Sequence, residues 1–292
     1  MTTGRVQVEN GELAYEARGD GDPVILLHGG ILDSRMWDAE MTALAPHHTV
    51  IRYDARGHGE SSTPTERFKH YEDLRELMTA LGLPRASLVG LSGGGRIAVD
   101  FALTYPDLVE NLVLVATGLS AMVTKDPFVL EQNKKLEEAG AKGDLPGAIE
   151  CILRMWVDGP RRAPADVDQR VRRLCQEMYT QTVVRHGLSG FTLMDELRAV
   201  ERLGELTPRT LTLLGDLDSP DILAIACQIE SEARDARRLV VPGVAHMINL
   251  EKPAAGPDWL TEASLDPRCP QETPVRPQVS NLSSLRGFGM GS

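Results

Sequence analysis

The chain has 292 residues, of which 42% are hydrophobic and 25% charged, enough for one large core or for a core with a smaller insert. Its 31 lysines and arginines stand against 42 aspartates and glutamates. The resulting net charge of −11 disfavours nucleic acid and anionic membranes as partners. We therefore expect a small-molecule partner, and the oligomeric state is not indicated.

We expect neither a membrane span nor a secretion signal in this sequence. No stretch approaches the roughly 20 apolar residues that cross a bilayer, and residues 1–10 lack the charged and then apolar layout of a signal peptide. We therefore expect a cytoplasmic protein. The cysteines match no zinc or redox motif, so we expect buried free thiols and no metal site. They are Cys151, Cys175, Cys227 and Cys269.

The first part of the chain alternates between predicted strands and predicted helices. Residues 6–18 form two short alternating runs around Asn10-Gly11, which predicts a hairpin. Continuous apolar runs then predict strands that are buried on both faces of a parallel sheet, at 24–27, 50–53, 88–91 and 112–115. The helical candidates between them are 36–44, 71–81 and 96–105. This alternation predicts a doubly wound α/β fold.

The alternation stops after the fourth strand and resumes near residue 206. Between these points the apolar residues recur at helical spacing, which predicts a helical cap at 119–205 inserted between two parts of a core at 1–118 and 206–263. The second part contains predicted strands at 210–214 and 238–241 and a helix at 222–232. We expect a poor last helix at 258–263 and a disordered tail at 264–292, where proline, serine and glycine dominate.

A serine lies at the turn between a predicted strand and a predicted helix. Gly90-Leu91-Ser92-Gly93-Gly94 follows the strand at 88–91, and neighbours without bulk are what a tight turn carrying a nucleophile needs. A serine hydroxyl is a poor nucleophile, so it requires a base and an acid that orients the base. Candidates follow the last two strands, with Asp216 and Asp218 after the first and His246 after the second.

These motifs, with His28-Gly29-Gly30 and Tyr53-Asp54-Ala55-Arg56-Gly57-His58-Gly59-Glu60-Ser61, resemble the α/β-hydrolase superfamily over about residues 24–253. The resemblance implies the α/β-hydrolase fold, with a mostly parallel central sheet flanked by helices and a helical cap insertion. It also implies that Ser92 is the nucleophile, His246 the general base and Asp218 the orienting acid, with Asp216 as the alternative. No cofactor is implied.

The resemblance further implies that the backbone N–H groups of Gly30 and Gly93 form an oxyanion hole. Gly93 departs from the family, because many relatives carry methionine or another side chain after the serine. Residues 32–38 and 156–160 are similar to the subgroup of enol-lactonases and carboxylesterases. We therefore expect a serine esterase that cleaves a small carboxylic ester or lactone through an acyl-enzyme. Two alternatives stay open: a cofactor-free perhydrolase or C–C bond hydrolase with the same triad, and a ligand-binding receptor or signalling protein with little turnover.

Other polar and aromatic residues have simpler interpretations. We expect His28 and His58 to hold loops. Trp37 and Trp156 could line a pocket, but aromatic residues at helical spacing more often lie in the core. Arg96 is expected on a helix surface, while Arg154 could offset the charge of an anionic substrate. We expect surface or turn positions for His47, His48, His70 and His186, and solvated positions for Arg161 and Arg162.

Overall fold

The computed structural model describes residues 1–30, 32–187 and 192–253, which form one sheet of eight strands. The strands lie in the spatial order β1-β2-β4-β3-β5-β6-β7-β8. The pairs β1·β2 and β2·β4 are antiparallel, and the remaining pairs are parallel. The strands are β1 Thr2–Val8, β2 Gly11–Arg18, β3 Asp22–Leu27, β4 His48–Tyr53, β5 Ala86–Leu91, β6 Val109–Val115, β7 Arg209–Gly215 and β8 Ala236–Val241. The mostly parallel sheet confirms the predicted fold class.

The hairpin prediction is confirmed at the amino end of the sheet. β1 and β2 pair from Val8 opposite Gly11 to Thr2 opposite Ala17. Asn10, in the turn, has a φ of 54°, in the left-handed region that asparagine tolerates better than most residues.

Helices cover the sheet and connect its parallel strands. They are α1 Asp38–Leu44, α2 His70–Ala80, α3 Gly93–Thr104, α4 Pro127–Lys142, α5 Leu145–Leu153, α6 Gln169–His186, α7 Pro220–Glu232 and α8 Ile248–Glu251. Two differ from the sequence prediction at their first turn. A 3₁₀ turn at Ser34–Trp37 precedes α1, and α3 begins at Gly93, immediately after Ser92.

Two apolar clusters lie on the opposite faces of the sheet. Along β3, Val24 and Leu26 belong to one cluster, while Ile25 and Leu27 belong to the other. Successive side chains of a strand point to opposite faces, so a strand covered on both sides needs apolar residues at every position. The uninterrupted apolar runs in the sequence have this origin.

The described residues between β6 and β7 are largely helical and pack on one of these clusters. Ile149 and Ile152 of α5 and Cys175 and Met178 of α6 share a cluster with Val113 of the sheet. The division into a core at 1–118 and 206–263 and a cap at 119–205 stays a prediction. The predicted last helix at 258–263 and tail at 264–292 lie outside the described residues.

The cysteine prediction is confirmed in part. Cys151 and Cys175 are buried free thiols, but Cys227 is exposed on α7, where it accepts a hydrogen bond from Arg238 Nη1 at 3.0 Å. Cys269 lies outside the described residues. Within the described ranges, no helix is long and apolar enough to cross a membrane.

Glu40 on α1 has a buried carboxyl group. The residue is 4% exposed, and neither carboxylate oxygen has a well-formed hydrogen bond among the described residues, although the nearby Asn249 side chain partly offsets the effect of burial on its pKa. Burial raises the pKa of Glu40 from 4.5 to about 7. Protonated Glu40 therefore stabilises the folded state relative to the ionised form, which must lose its hydration.

We expect Glu40→Gln to make stability less dependent on pH. The pKa of Glu40 is higher in the folded state than in the unfolded state. The stabilisation that protonated Glu40 gives the folded state is therefore complete below about pH 4.5 and is lost as the pH rises through about 7. The free energy of unfolding of the variant minus that of the wild type should rise by up to about 3 kcal/mol between pH 5 and 8.5. Urea unfolding at both pH values measures it, with Glu131→Gln on the exposed face of α4 as the control. A constant difference would contradict the assignment.

Candidate active site

Ser92 lies between β5 and α3 in a strained backbone conformation. Its φ is 52° and its ψ is −110°, outside the regions that residues with a side chain ordinarily occupy. Two hydrogen bonds hold this turn, from Ser92 N to Val115 O at 2.9 Å and from Arg96 N to Ser92 O at 3.0 Å. The turn presents the half-buried Ser92 side chain at the carboxyl edge of the sheet.

Close packing of α3 on the sheet explains one glycine of the serine motif. A Cβ atom on Gly94 would lie 2.2 Å from Leu27 O of β3, which is far inside van der Waals contact. The glycine therefore lets the first turn of α3 approach the neighbouring strand, which keeps the Ser92 turn compact.

Gly93 and Gly30 approach each other beside Ser92. A Cβ atom on Gly93 would lie 2.9 Å from Gly30 N and 3.1 Å from Gly30 Cα. The missing side chain at position 93 thus permits the loop after β3 to pack directly against the serine turn. Both residues line the same cavity as Ser92.

Two buried histidines hold the loop that carries Gly30. His28 Nε2 accepts a hydrogen bond from Ala55 N at 2.9 Å, and His58 Nε2 lies 2.9 Å from Gly30 O. Burial lowers the pKa of His58 to about 4, so the ring is neutral near pH 7 and donates to one carbonyl only. Its Nδ1 lies 3.2 Å from Arg56 O, and we assign the proton to Nε2 because the contact with Gly30 O is the shorter. Both histidines hold loops, as predicted.

Asp218 and His246 form a buried hydrogen-bonded pair after the last two strands. His246 Nδ1 lies 2.9 Å from Asp218 Oδ2, and both side chains are 1% exposed. Asp218 Oδ1 accepts a second hydrogen bond, from Ser219 N at 2.7 Å. Asp216, the alternative acid, is exposed and instead accepts from Gly243 N at 2.7 Å.

Ser92 and His246 face the same cavity but are not hydrogen-bonded to each other. His246 Nε2 is buried and has no hydrogen-bond partner among the residues that the structure describes. The structure therefore joins Asp218 to His246 and brings Ser92 to the same site. Catalytic hydrogen bonds are often long in an empty site and shorten when substrate binds.

The cavity has a volume of about 550 Å³, and apolar side chains form most of its wall. Its apolar and aromatic lining residues include Leu119, Met122, Leu136, Ile152, Trp156, Tyr179, Met194, Ile222 and Met247. Arg96 contributes a charged group to this lining, so the prediction of a helix-surface role for Arg96 missed its place in the cavity wall. α3 carries Arg96 one turn beyond Ser92, which brings its side chain to the same cavity. The guanidinium also pairs with Glu196 at 2.6 Å.

Trp156 fits both interpretations offered by the sequence, since it packs against an apolar core cluster and also lines the cavity. It lies in a π-helical turn at Arg154–Asp158, and its ring centroid is 4.8 Å from that of His246. Ile152, four residues earlier, lines the same cavity, as helical spacing suggests. The contact with His246 was not apparent from the sequence.

Three further predictions about polar residues are wrong. His70 and His186, expected at surface or turn positions, are buried, and burial holds the pKa of His70 well below its ordinary value. Arg162, expected to be solvated, has a side chain that is 10% exposed and pairs with Glu251. For His186 and Arg162 the partners are distant in sequence, since His186 contacts Thr63 and Gly59.

Arg154, proposed from the sequence to compensate an anionic substrate, is not among the residues that line the cavity around Ser92. Its Nη1 donates to Asp158 Oδ2 at 2.7 Å, and its guanidinium lies over the Phe128 ring at 5.4 Å. Among the described residues, no three His, Cys, Asp or Glu side chains are grouped to hold a metal ion.

The family model for the α/β-hydrolase fold matches residues 22–253. The chain belongs to this family. It is 25% identical over 248 residues to the pimeloyl-(acyl-carrier protein) methyl ester esterase of Nitrosospira multiformis, an alignment covering 82% of this chain and 94% of that protein. The chain is thus an enzyme, an α/β-fold hydrolase.

Solved structures of α/β hydrolases superimpose on most of the chain. A hydrolase from Pseudomonas aeruginosa is 28% identical, with a TM-score of 0.75 over 90% of this chain and 98% of its own. The enol-lactonase of Burkholderia xenovorans is 22% identical, with a TM-score of 0.75 over 90% of this chain and 100% of its own. At 22% identity, the similarity to the enol-lactonase supports only the fold.

We expect Gly94→Ala to destabilise this α/β hydrolase by roughly 3 kcal/mol or more, because the new methyl group collides with backbone rather than with a movable side chain. The matched control is Gly140→Ala in α4, where a Cβ would meet no atom within 4 Å. That change should be neutral or stabilising by up to about 1 kcal/mol. Thermal and urea unfolding measure both, and equal stability of the two variants would contradict the packing argument.

Proposed function

We propose that the enzyme is a serine hydrolase that cleaves a small carboxylic ester or lactone through an acyl-enzyme on Ser92. The observation that carries the proposal is the buried pair of His246 and Asp218 beside the strained Ser92 turn, on one apolar cavity. A hydroxyl, an imidazole and a carboxylate in this order along the chain and around one cavity have the chemical roles that acyl transfer needs.

In the proposed reaction, Ser92 Oγ attacks the carbonyl carbon while His246 Nε2 accepts the hydroxyl proton. Asp218 accepts the hydrogen bond from His246 Nδ1–H and stabilises the imidazolium that forms. The protonated His246 then gives its proton to the leaving alcohol oxygen, and the acyl group stays on Ser92. Water, activated by His246, releases the acid and restores the serine.

The tetrahedral intermediate carries a negative charge on the former carbonyl oxygen. We assign its stabilisation to the backbone N–H groups of Gly30 and Gly93, which adjoin Ser92. Preorganised donors of this kind contribute on the order of a hundredfold to a thousandfold in rate each. The neutral His58 ring, through Gly30 O, keeps that loop in place.

The cavity favours an uncharged substrate with an apolar group. Its wall is largely apolar, and Glu196 offsets the charge of Arg96 in it. The relatedness to an enzyme named for cleaving a methyl ester supports an ester substrate. The perhydrolase, C–C hydrolase and receptor alternatives stay predictions, since no observation in the site favours them.

We expect wild-type enzyme to hydrolyse p-nitrophenyl acetate and butyrate, and to take up one fluorophosphonate label on the Ser92 peptide. Ser92→Ala should lose the label completely and lose turnover by about 10³-fold or more, because the nucleophile is gone. Hydrolysis is followed by absorbance and labelling by mass spectrometry. The control is Ser231→Ala on α7, which should leave both unchanged. Turnover and labelling that survive in Ser92→Ala would overturn the proposal.

We expect Asp218→Asn and Asp216→Asn to differ strongly, although the two positions are only two residues apart. Loss of the carboxylate at 218 should lower kcat by roughly 10³ to 10⁴-fold, because the His246 tautomer and the imidazolium lose their partner. Asp216→Asn keeps an oxygen for Gly243 N and should stay within about threefold of wild type. Steady-state kinetics measure both, and a larger loss at 216 would reverse the assignment.

A further inference from the structure

We propose that the ion pair between Arg162 and Glu251 positions His246 for its reaction with Ser92. The proposal rests on the serine hydrolase function proposed above. Arg162 follows the π-helical turn that carries Trp156, whereas Glu251 ends α8 just after His246. The pair thus ties the segment of residues 154–162 to the loop that carries the base.

The ion pair is bidentate and removed from water. Arg162 Nη1 donates to Glu251 Oε2 at 2.5 Å, and Nη2 donates to Oε1 at 3.0 Å. The two side chains are only 10% and 9% exposed. Two parallel hydrogen bonds between a guanidinium and a carboxylate that are shielded from water fix the relative orientation of the two groups as well as their distance.

The arginine is also fixed to its own segment. Arg162 Nε donates to Asp158 O at 2.9 Å, and Nη2 donates to Val157 O at 2.9 Å. Four hydrogen bonds to two parts of the chain leave the guanidinium little freedom. Motion of the 154–162 segment is therefore transmitted to Glu251.

Glu251 in turn reaches the backbone next to the base. Its Oε1 accepts a hydrogen bond from Ala245 N at 3.3 Å, and Ala245 precedes His246 and is fully buried. The same oxygen thus bonds Arg162 and the His246 loop. Removing the arginine would leave a buried carboxylate free to turn away from Ala245.

The 154–162 segment is itself anchored to α6 by a fully buried carboxylate. Asp158 accepts from Arg154 at 2.7 Å and from Arg172 Nε of α6 at 3.0 Å. Arg154 also donates to Arg162 O at 3.1 Å, which closes this network within the segment. The 154–162 segment is therefore a rigid support rather than an exposed loop.

Contacts of the segment extend to both loops of the Asp218–His246 pair. A Cβ on Gly159 would lie 3.0 Å from Ala245 Cβ and 3.1 Å from Leu217 O, so the segment lies directly against both. The centroid of the Trp156 ring lies 4.8 Å from that of the His246 ring, which also bonds Asp218 through Nδ1. The orientation of the imidazole thus depends on where the 154–162 segment sits.

The test compares four variants with wild type in p-nitrophenyl butyrate hydrolysis, each at a temperature about 15 °C below its own Tm. They are Arg162→Met, Glu251→Gln, the double variant Arg162→Met with Glu251→Met, and Arg170→Met. Arg170 is the control, because it forms an exposed ion pair with Asp168 at the start of α6. The double variant removes both charges, so no unpaired buried charge destabilises its fold.

We expect both single variants and the double variant to lose kcat by roughly 10- to 100-fold with KM changed by less than about threefold, since small misplacement of a catalytic group is this costly. The proton of His246 Nδ1–H, bonded to Asp218, should also shift or broaden at the low-field end of the NMR spectrum. Arg170→Met should match wild type.

Recovery of wild-type kcat by the double variant would overturn the proposal, because the pair would then act on stability alone. Unchanged kcat in Glu251→Gln would do the same. Both results leave the proposed function intact, since wild type still turns over and labels at Ser92. Wild type without turnover or label would instead remove the proposed function, and this inference with it.

Discussion

The strained turn at Ser92 is the constraint on which the rest of the site depends. A non-glycine residue in such a conformation costs on the order of 1–3 kcal/mol and persists only where its surroundings hold it. Here β6 holds it through the bond of Ser92 N to Val115 O, and β3 holds it through the close contact of Gly94 with Leu27. The central position of β5, between β3 and β6, makes both supports available at once.

The buried histidines near this turn differ in their partners, and the partners decide what each can do. His58 faces the Gly30 carbonyl, and burial lowers its pKa to about 4, so it serves as a neutral donor rather than as a base. His246 instead pairs with the Asp218 carboxylate and lines the cavity that contains Ser92. His58 is not among the residues that line this cavity, so the loop-holding histidine and the proposed base are separate.

Much of the fold could be predicted because it follows from local patterns. A strand buried on both faces must be apolar at every position, so the apolar runs in β3 and β5 predict these strands directly. Ser92 could be identified from the small residues that its turn needs. His246 and two candidate acids, Asp216 and Asp218, could be proposed from their places after successive strands, since parallel strands bring their carboxyl ends to one edge. The preference for Asp218 came from the family resemblance.

The parts of the site that could not be predicted depend on contacts between distant segments. Arg162 and Glu251 are 89 residues apart, and nothing in the sequence around either residue indicates that the two side chains pair. Trp156 could be placed on an apolar face with Ile152, but its contact with the His246 ring joins segments that are distant in sequence. Arg96 follows the serine on α3, but whether it faced solvent or the cavity depended on the segment that covers it, which includes Met194 and Glu196.

Trp156 contacts both the proposed substrate cavity and the proposed base. Its side chain forms part of the cavity wall, and its ring also packs against His246. Any group that displaces Trp156 on binding must therefore also change the environment of His246, the proposed base. Because Arg162, Glu251 and Asp158 fix the segment that carries this tryptophan, its freedom to adapt is small. A well-fitting substrate would meet an imidazole already oriented by that segment, whereas a bulkier one would disturb the orientation and react more slowly.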